Sequence, residues 1–178
     1  LDDLDAILTE LIIKDIESLE ARRQRTSKAA KGKEKEAVKE LEYIDLCLNI
    51  LGEGKILHNN LNEFHPVLRE LRPLTYKPLM IVANVDDSEL GTIEKNPVFQ
   101  KLSSKAAELG AKVVHFCAKL ELELQELEPE EVKEMLSEYN LVEPGLNRVI
   151  REGYNLLNLI TYFTAGVKEV RAWTIERG

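Results

Sequence analysis

The fold turns on Pro78-Leu79-Met80-Ile81-Val82-Ala83-Asn84-Val85-Asp86-Asp87. An unbroken apolar run gives way here to an amide and, two residues on, to two carboxylates. A run this short, opened by a proline and closed by polar groups, predicts a strand covered on both faces rather than a helix. A second run of the same kind follows at Lys112-Val113-Val114-His115-Phe116-Cys117-Ala118. Between them, residues 96 to 109 read as a helix that stops at Gly110. Strand, helix, strand and helix in this order predict an α/β protein with a parallel sheet covered by helices.

Upstream the period changes. Leu4, Leu8, Ile12, Ile16 and Leu19 recur every three or four residues, and so do Val38, Leu41, Ile44, Leu48 and Leu51. Each set forms one face of a helix. The polar stretch from Thr26 to Lys33 supplies no apolar stripe and is expected to be the turn between them. Two such helices fold back as an antiparallel pair, each roughly 25–35 Å long at 1.5 Å per residue. Arg22, Arg23, Arg25, Lys28, Lys31, Lys33 and Lys35, opposed only by Glu34, would then crowd the hairpin tip. A shorter periodic stretch, Phe64, Val67, Leu68 and Leu71, returns the chain to the main body.

Downstream, Glu-rich helices follow the second strand, and Pro144-Gly145 opens a last helix to about Leu157. Ile160 to Thr164 and Val170 to Ile175 read as a hairpin in a small β-rich unit, with Tyr162 and Trp173 packed inside it.

The 178 residues suit one domain, or one with a sizeable insertion. A net charge of −8 argues against a chain that wraps nucleic acid with its whole surface, so the basic tip is a local feature. The longest apolar runs fall far short of the ~20 residues that cross a bilayer, and no basic-then-apolar leader opens the chain. Two distant cysteines, Cys47 and Cys117, fit a reducing cytosol better than a disulfide framework. The expectation is a cytoplasmic protein without a membrane span. Starting at Leu1 rather than Met, the chain reads as a piece of something longer.

In open parallel sheets, ligands bind beyond the carboxyl ends of the strands. Asn84 at the first end offers a donor and an acceptor together, which suits N7 and N6 of adenine. Asp87 would instead accept from N1 and N2 of guanine. At the second end, the Ala118 N–H is expected to reach a base exocyclic group. The alternative is that Asn84 caps the next turn while Asp86 and Asp87 decorate a loop. Spacing alone leaves both open. His58, His65 and His115 are scattered; His115 and Cys117 fall on one side of a strand, but a zinc site needs four ligands, so ordinary burial is expected and no metal site. The glutamates from Glu121 to Glu134 read as exposed helix, not a catalytic carboxylate pair.

Asn84-Val85-Asp86-Asp87 resembles the N-x-x-E element that replaces N-K-x-D in the YchF/Obg-like ATPases, a family of P-loop G proteins. Cys117-Ala118-Lys119-Leu120-Glu121 resembles the following base-contacting loop of that family. Residues 143–151 with Gly153-Tyr154 look like its last G-domain helix, and Leu159 through Ile175, LITYFTAGVKEVRAWTI, is similar to the entry of its TGS domain. The resemblance covers nearly the whole chain. It implies a helical coiled-coil hairpin at 1–71 inserted into a G domain, the C-terminal half of that domain at 72–158, and the start of a TGS domain at 159–178. It further implies binding and hydrolysis of ATP ahead of GTP, with Asn84, Val85, Asp87, Cys117 and Ala118 around the base. Asp87 stands where the family usually has Glu, which returns the geometry toward the guanine-reading N-K-x-D element. Ribosome association is implied too, and with it an RNA or ribosome contact at the basic tip.

A phosphate cradle needs G-x-x-x-x-G-K-[ST]. Gly32-Lys33 and Gly54-Lys55 are followed by Glu34 and Ile56, and neither fits. In the family that loop and the Mg2+ ligands precede the coiled coil. They are therefore expected outside these 178 residues, which alone should not hydrolyse ATP and hold no catalytic residue. The competing reading is a non-enzymatic helical hairpin that binds ribosome or RNA.

Overall fold

The computed structural model describes residues 1–31, 34–61 and 63–178, in two compact units, Leu1–Pro78 and Leu79–Gly178. Lys33 of the basic stretch lies outside the described residues.

The first unit is helical. Helix α1 (Asp2–Ala30) and helix α2 (Lys35–Gly52) pack along each other, followed by α3 (Pro66–Leu71) and a 3-10 turn, Leu74–Tyr76. The apolar stripes meet as expected: Ile12 and Leu19 of α1, Ile44, Cys47 and Leu51 of α2, and Val67 and Leu68 of α3 form one buried core with Leu57. The expected lengths need correction for α1. Its 29 residues span about 43 Å at 1.5 Å per residue, because the helix runs on through Thr26 and Ser27 to Ala30. Alanine and lysine favour helix, and Thr26 is buried with its hydroxyl donating to Glu40 Oε1 at 2.7 Å.

Asp15 lies in the middle of the α1 stripe and is buried. Its carboxylate accepts three hydrogen bonds, from the Leu74 and Thr75 N–H groups and the Thr75 hydroxyl, each at 2.7 Å. A buried carboxylate is tolerated when its lone pairs are satisfied in this way. The contact draws residues 72–78 into the first compact unit, which runs to Pro78.

In the second unit, β1 (Met80–Asn84) and β2 (Lys112–Phe116) pair in parallel, Met80 opposite Lys112 and Asn84 opposite Phe116. Helix α4 (Pro97–Glu108) connects them, capped by the Asn96 side chain, which accepts from the Val98 N–H at 2.8 Å. It ends at Leu109 and Gly110, and Gly110 takes a φ of +63° that suits glycine. Helices α5 (Ala118–Leu124), α6 (Pro129–Glu138) and α7 (Gly145–Leu156) follow. Val114 is buried, but Val82 is 41% exposed. The expectation of strands covered on both faces therefore holds less for β1, whose Val82 side chain stays partly open. Beyond the strand ends, Leu90, Cys117, Leu120, Leu124 and Leu136 form a second buried cluster, with Val85 packed against it. This cluster is the floor on which the polar strand ends rest.

Two close contacts seat α7. The Gly145 N–H donates to Glu121 Oε1, placing a carboxylate at the start of the helix where its dipole favours one. A Cβ on Gly145 would stand 2.7 Å from Phe116 Cβ and 3.3 Å from Phe116 Cα, so only glycine lets α7 come this near β2. Farther along, Arg148 Nη2 donates to the His115 carbonyl at 2.9 Å.

Strands β3 (Leu159–Ala165) and β4 (Val170–Glu176) form an antiparallel hairpin with Tyr162 opposite Trp173. The expectation that these two rings pack inside a small core fails; they are 45% and 44% exposed. A two-stranded ribbon has two open faces, and the Trp173 indole N–H instead donates to the Thr164 hydroxyl at 2.9 Å. Among the described residues no helix is long and apolar enough to cross a membrane.

Candidate functional site

The ends of β1 and β2 meet. The Ala118 N–H donates to Asn84 Oδ1 at 3.0 Å, and the Val85 N–H donates to the Phe116 carbonyl at 2.9 Å. Asn84, Val85, Asp86, Asp87, Cys117 and Lys119 line a cleft of about 220 Å³. All five residues expected around a base, Asn84, Val85, Asp87, Cys117 and Ala118, are thus gathered at one place in the second unit.

Local structure explains each position. Asp86, not Asn84, caps the turn after β1: its Oδ1 accepts from the Ser88 N–H at 3.1 Å and the Ser88 hydroxyl at 2.8 Å. Those bonds, the hydroxyl's first, hold the Asp86 carboxyl below its ordinary range. Cys117 is the N-cap of α5, its Sγ accepting from the Leu120 N–H at 3.5 Å, and it is buried. It lies beyond β2 rather than on one strand face with His115, which turns instead toward Phe99, edge to face at 5.5 Å. Among the described residues no three His, Cys, Asp or Glu side chains converge on a point.

The Asn84 amide is partly engaged within the protein. Its oxygen accepts from Ala118 through one of its two lone pairs, and its Nδ2 supplies a pair of donors. Such a group suits a lone acceptor, such as N7, which adenine and guanine share. For the same reason the Ala118 N–H is already committed within the protein.

Lys119 is the residue that sequence reasoning left without a role. Its ammonium donates to Asp87 Oδ2 at 2.7 Å, across 32 residues of sequence. The hydrogen bond to Asp87, then its charge, push the Lys119 pKa above the usual lysine value. The signal is present in the motif, where a lysine follows Ala118, but spacing does not say which carboxylate it reaches.

Elsewhere in this unit a cavity of about 310 Å³ is lined by Phe99, His115, Arg148 and Arg151 among others. Arg148 Nη1 donates to His115 Nε2 at 3.1 Å. Burial first, and then the neighbouring Arg148 charge, lower the His115 pKa from its ordinary value.

The basic stretch divides. Arg22 grips Glu40 with two nitrogens, at 2.6 and 3.1 Å, and reaches Glu70 at 3.0 Å; Arg23 pairs with Asp45 at 2.5 Å. Arg22 thus holds α1 against α2 and α3, and Arg23 holds it against α2. Arg25, Lys28, Lys31 and Lys35 are exposed, and no ion pair among the described residues engages them.

No protein-family model matches the chain. Several proteins named ribosome-binding ATPase YchF do. The one from Haemophilus influenzae is 47% identical over 180 residues, covering 100% of this chain and 49% of that protein. The Escherichia coli O157:H7 protein is 45% identical, covering 99% and 48%, and the Bacillus subtilis protein 40%, covering 100% and 49%. The structure of the Schizosaccharomyces pombe YchF GTPase superposes with a TM-score of 0.84 at 28% identity, covering 99% of this chain and 49% of that one. Fold and strand-end geometry define an α/β protein whose first unit in sequence is helical. By identity over its full length, the chain belongs to the YchF family. It spans about half the length of the relatives it matches.

Proposed function

We propose that this chain is the base-reading portion of a YchF-type nucleoside triphosphatase that binds and hydrolyses ATP, GTP being less favoured, and associates with the ribosome. The single observation that carries this reading is the 3.0 Å bond from the Ala118 N–H to Asn84 Oδ1, which joins the two strand ends into one cleft. At about 220 Å³ the cleft is smaller than the roughly 300–1,000 Å³ that enclose a whole ligand, and it suits the base alone. The relatives' names, ribosome-binding ATPase and GTPase, support a nucleotide as the ligand class.

In this proposal Asn84 Nδ2 holds N7, Val85 and Cys117 pack beside the ring, and Asp87 faces the edge that distinguishes the purines. The triphosphate and Mg2+, which supply the phosphoryl chemistry, fall to the half of the relatives that this chain does not span. The helices of residues 1–71 are then a coiled-coil insertion, residues 72–158 the C-terminal half of a G domain, and residues 159–178 the start of a TGS domain. Calorimetric titration of the full-length protein with ATP and GTP tests the reading. Asn84→Ala should weaken both by about tenfold or more; unchanged binding would move the nucleotide elsewhere.

A second reading, a ribosome- or RNA-binding hairpin without enzymatic function, is favoured by the exposed Arg25, Lys28, Lys31 and Lys35. Full-length protein that pellets with ribosomes but neither binds nor hydrolyses nucleotide would establish it.

A further inference from the structure

We infer that Lys119 is a specificity-determining residue, lowering the advantage that Asp87 would otherwise give to guanine. The inference rests on the base-binding reading of the cleft. With Oδ1 engaged by Ala118, Asn84 reads the base through its Nδ2 donors, and these address N7, an acceptor common to both purines. Discrimination therefore falls to Asp87. A carboxylate with both oxygens open accepts N1–H and N2–H of guanine side by side, and guanine is the purine that presents this pair. Adenine offers there one N6 amino group and the N1 lone pair, which an unaccompanied carboxylate repels.

The structure does not leave Asp87 unaccompanied. The Lys119 ammonium sits on Oδ2 at 2.7 Å, so guanine must share that oxygen or displace the ion pair. The lysine also balances the negative charge that adenine N1 would meet. Its choice of carboxylate is set by the neighbours: Asp86 Oδ1 is taken by Ser88, and Lys119 follows directly on Ala118, whose N–H is pinned to Asn84. With its side chain 68% exposed, Lys119 contributes little to packing and can be replaced without opening the core. The pair thus supplies, from within the fold, a counterweight to an aspartate in a position that favours guanine.

The experiment is titration of the full-length protein with ATP and GTP, comparing wild type with Lys119→Met, which keeps the stem and removes the charge, and with Lys119→Arg, which keeps the charge. Lys119→Met should shift the ratio of the two Kd values toward GTP by about tenfold, the scale of one charge-assisted hydrogen bond. Lys119→Arg should hold the wild-type ratio. An inosine triphosphate probe, lacking the N2 amino group, should gain less than GTP in Lys119→Met. If both nucleotides bind Lys119→Met with the wild-type ratio, or weaken equally, Lys119 does not set preference and the inference falls while the cleft stands. If Asn84→Ala leaves both affinities unchanged, the cleft is not the base site and both readings fall together.

Discussion

Ala118 and Asn84, 34 residues apart, are joined by a hydrogen bond from main-chain N–H to side-chain Oδ1 at 3.0 Å. The bond engages one lone pair of the amide oxygen and orients the amide. Asn84→Asp separates the two tasks. The carboxylate still accepts from Ala118, so the urea midpoint of the full-length protein should move little. The donor to N7 is lost, and calorimetry should show ATP and GTP both weakened by about tenfold or more. Retained affinity would mean that Asn84 only ties the loops.

Asp15 ties residues 74 and 75 to helix α1 through three hydrogen bonds. Asp15→Ala would leave the Leu74 N–H and the buried Thr75 N–H and hydroxyl without their acceptor. The expected loss of unfolding free energy is about 3 kcal/mol or more. Asp15→Asn, keeping one acceptor oxygen, should lose less. A loss in Asp15→Ala below about 0.5 kcal/mol, the scale of an ordinary surface change, would contradict the assignment.

Gly145→Ala should cost about 1–3 kcal/mol by overpacking, since the added methyl meets Phe116 Cβ at 2.7 Å and its Cα at 3.3 Å. Neither atom can swing aside without moving β2 or α7. Thermal denaturation reads the effect; a stabilised variant would show that the interface yields freely.

His115 predicts a pH dependence. Its folded pKa lies below the ordinary 6.5, from burial and then from Arg148, with Glu94 opposing. Below pH 6.5 the unfolded chain takes up a proton that the folded form resists, so stability falls as pH drops through this window and is level above it. Protonation would also set two donors, Arg148 Nη1 and His115 Nε2, against each other. His115→Gln, which keeps an acceptor for Arg148 and does not titrate, should flatten the dependence of the melting temperature between pH 6.5 and the His115 folded value. An identical slope in the variant would assign the dependence to other groups.

At the hairpin tip, reversal of Arg25, Lys28, Lys31 and Lys35 to Glu should weaken ribosome pelleting and flatten its salt dependence. Every phosphate that the tip ceases to neutralise should take roughly 0.7–0.9 off the log–log slope. Arg22→Ala should act differently, lowering hairpin stability by about 1–2 kcal/mol through Glu40 and Glu70 with little change in that slope. Pelleting insensitive to the four reversals would remove the tip as a ribosome-binding element.

The sequence by itself determined the element order, because apolar period is a local property. The stripe from Leu8 to Leu19 and the run from Met80 to Ala83 each bury or pair as their spacing requires. The polar groups that close the strands were visible for the same reason, and with them Asn84, Val85, Asp87 and Cys117 of the cleft, but not the places of Asp86 and Lys119 in it. What only the tertiary structure decided was partnership. An Asn at a strand end can cap, bridge or bind, and the approach of Ala118 makes it bridge with its oxygen. Arg22 and Arg23 look like tip charges until Glu40, Glu70 and Asp45 arrive from other helices. Asp15 reads as an interruption of a stripe until the backbone of residues 74 and 75 reaches it. Hydrogen bonds and ion pairs are short-ranged and indifferent to sequence distance, so the fold, by bringing distant groups within 3 Å, chose which of several chemically valid partners each one took.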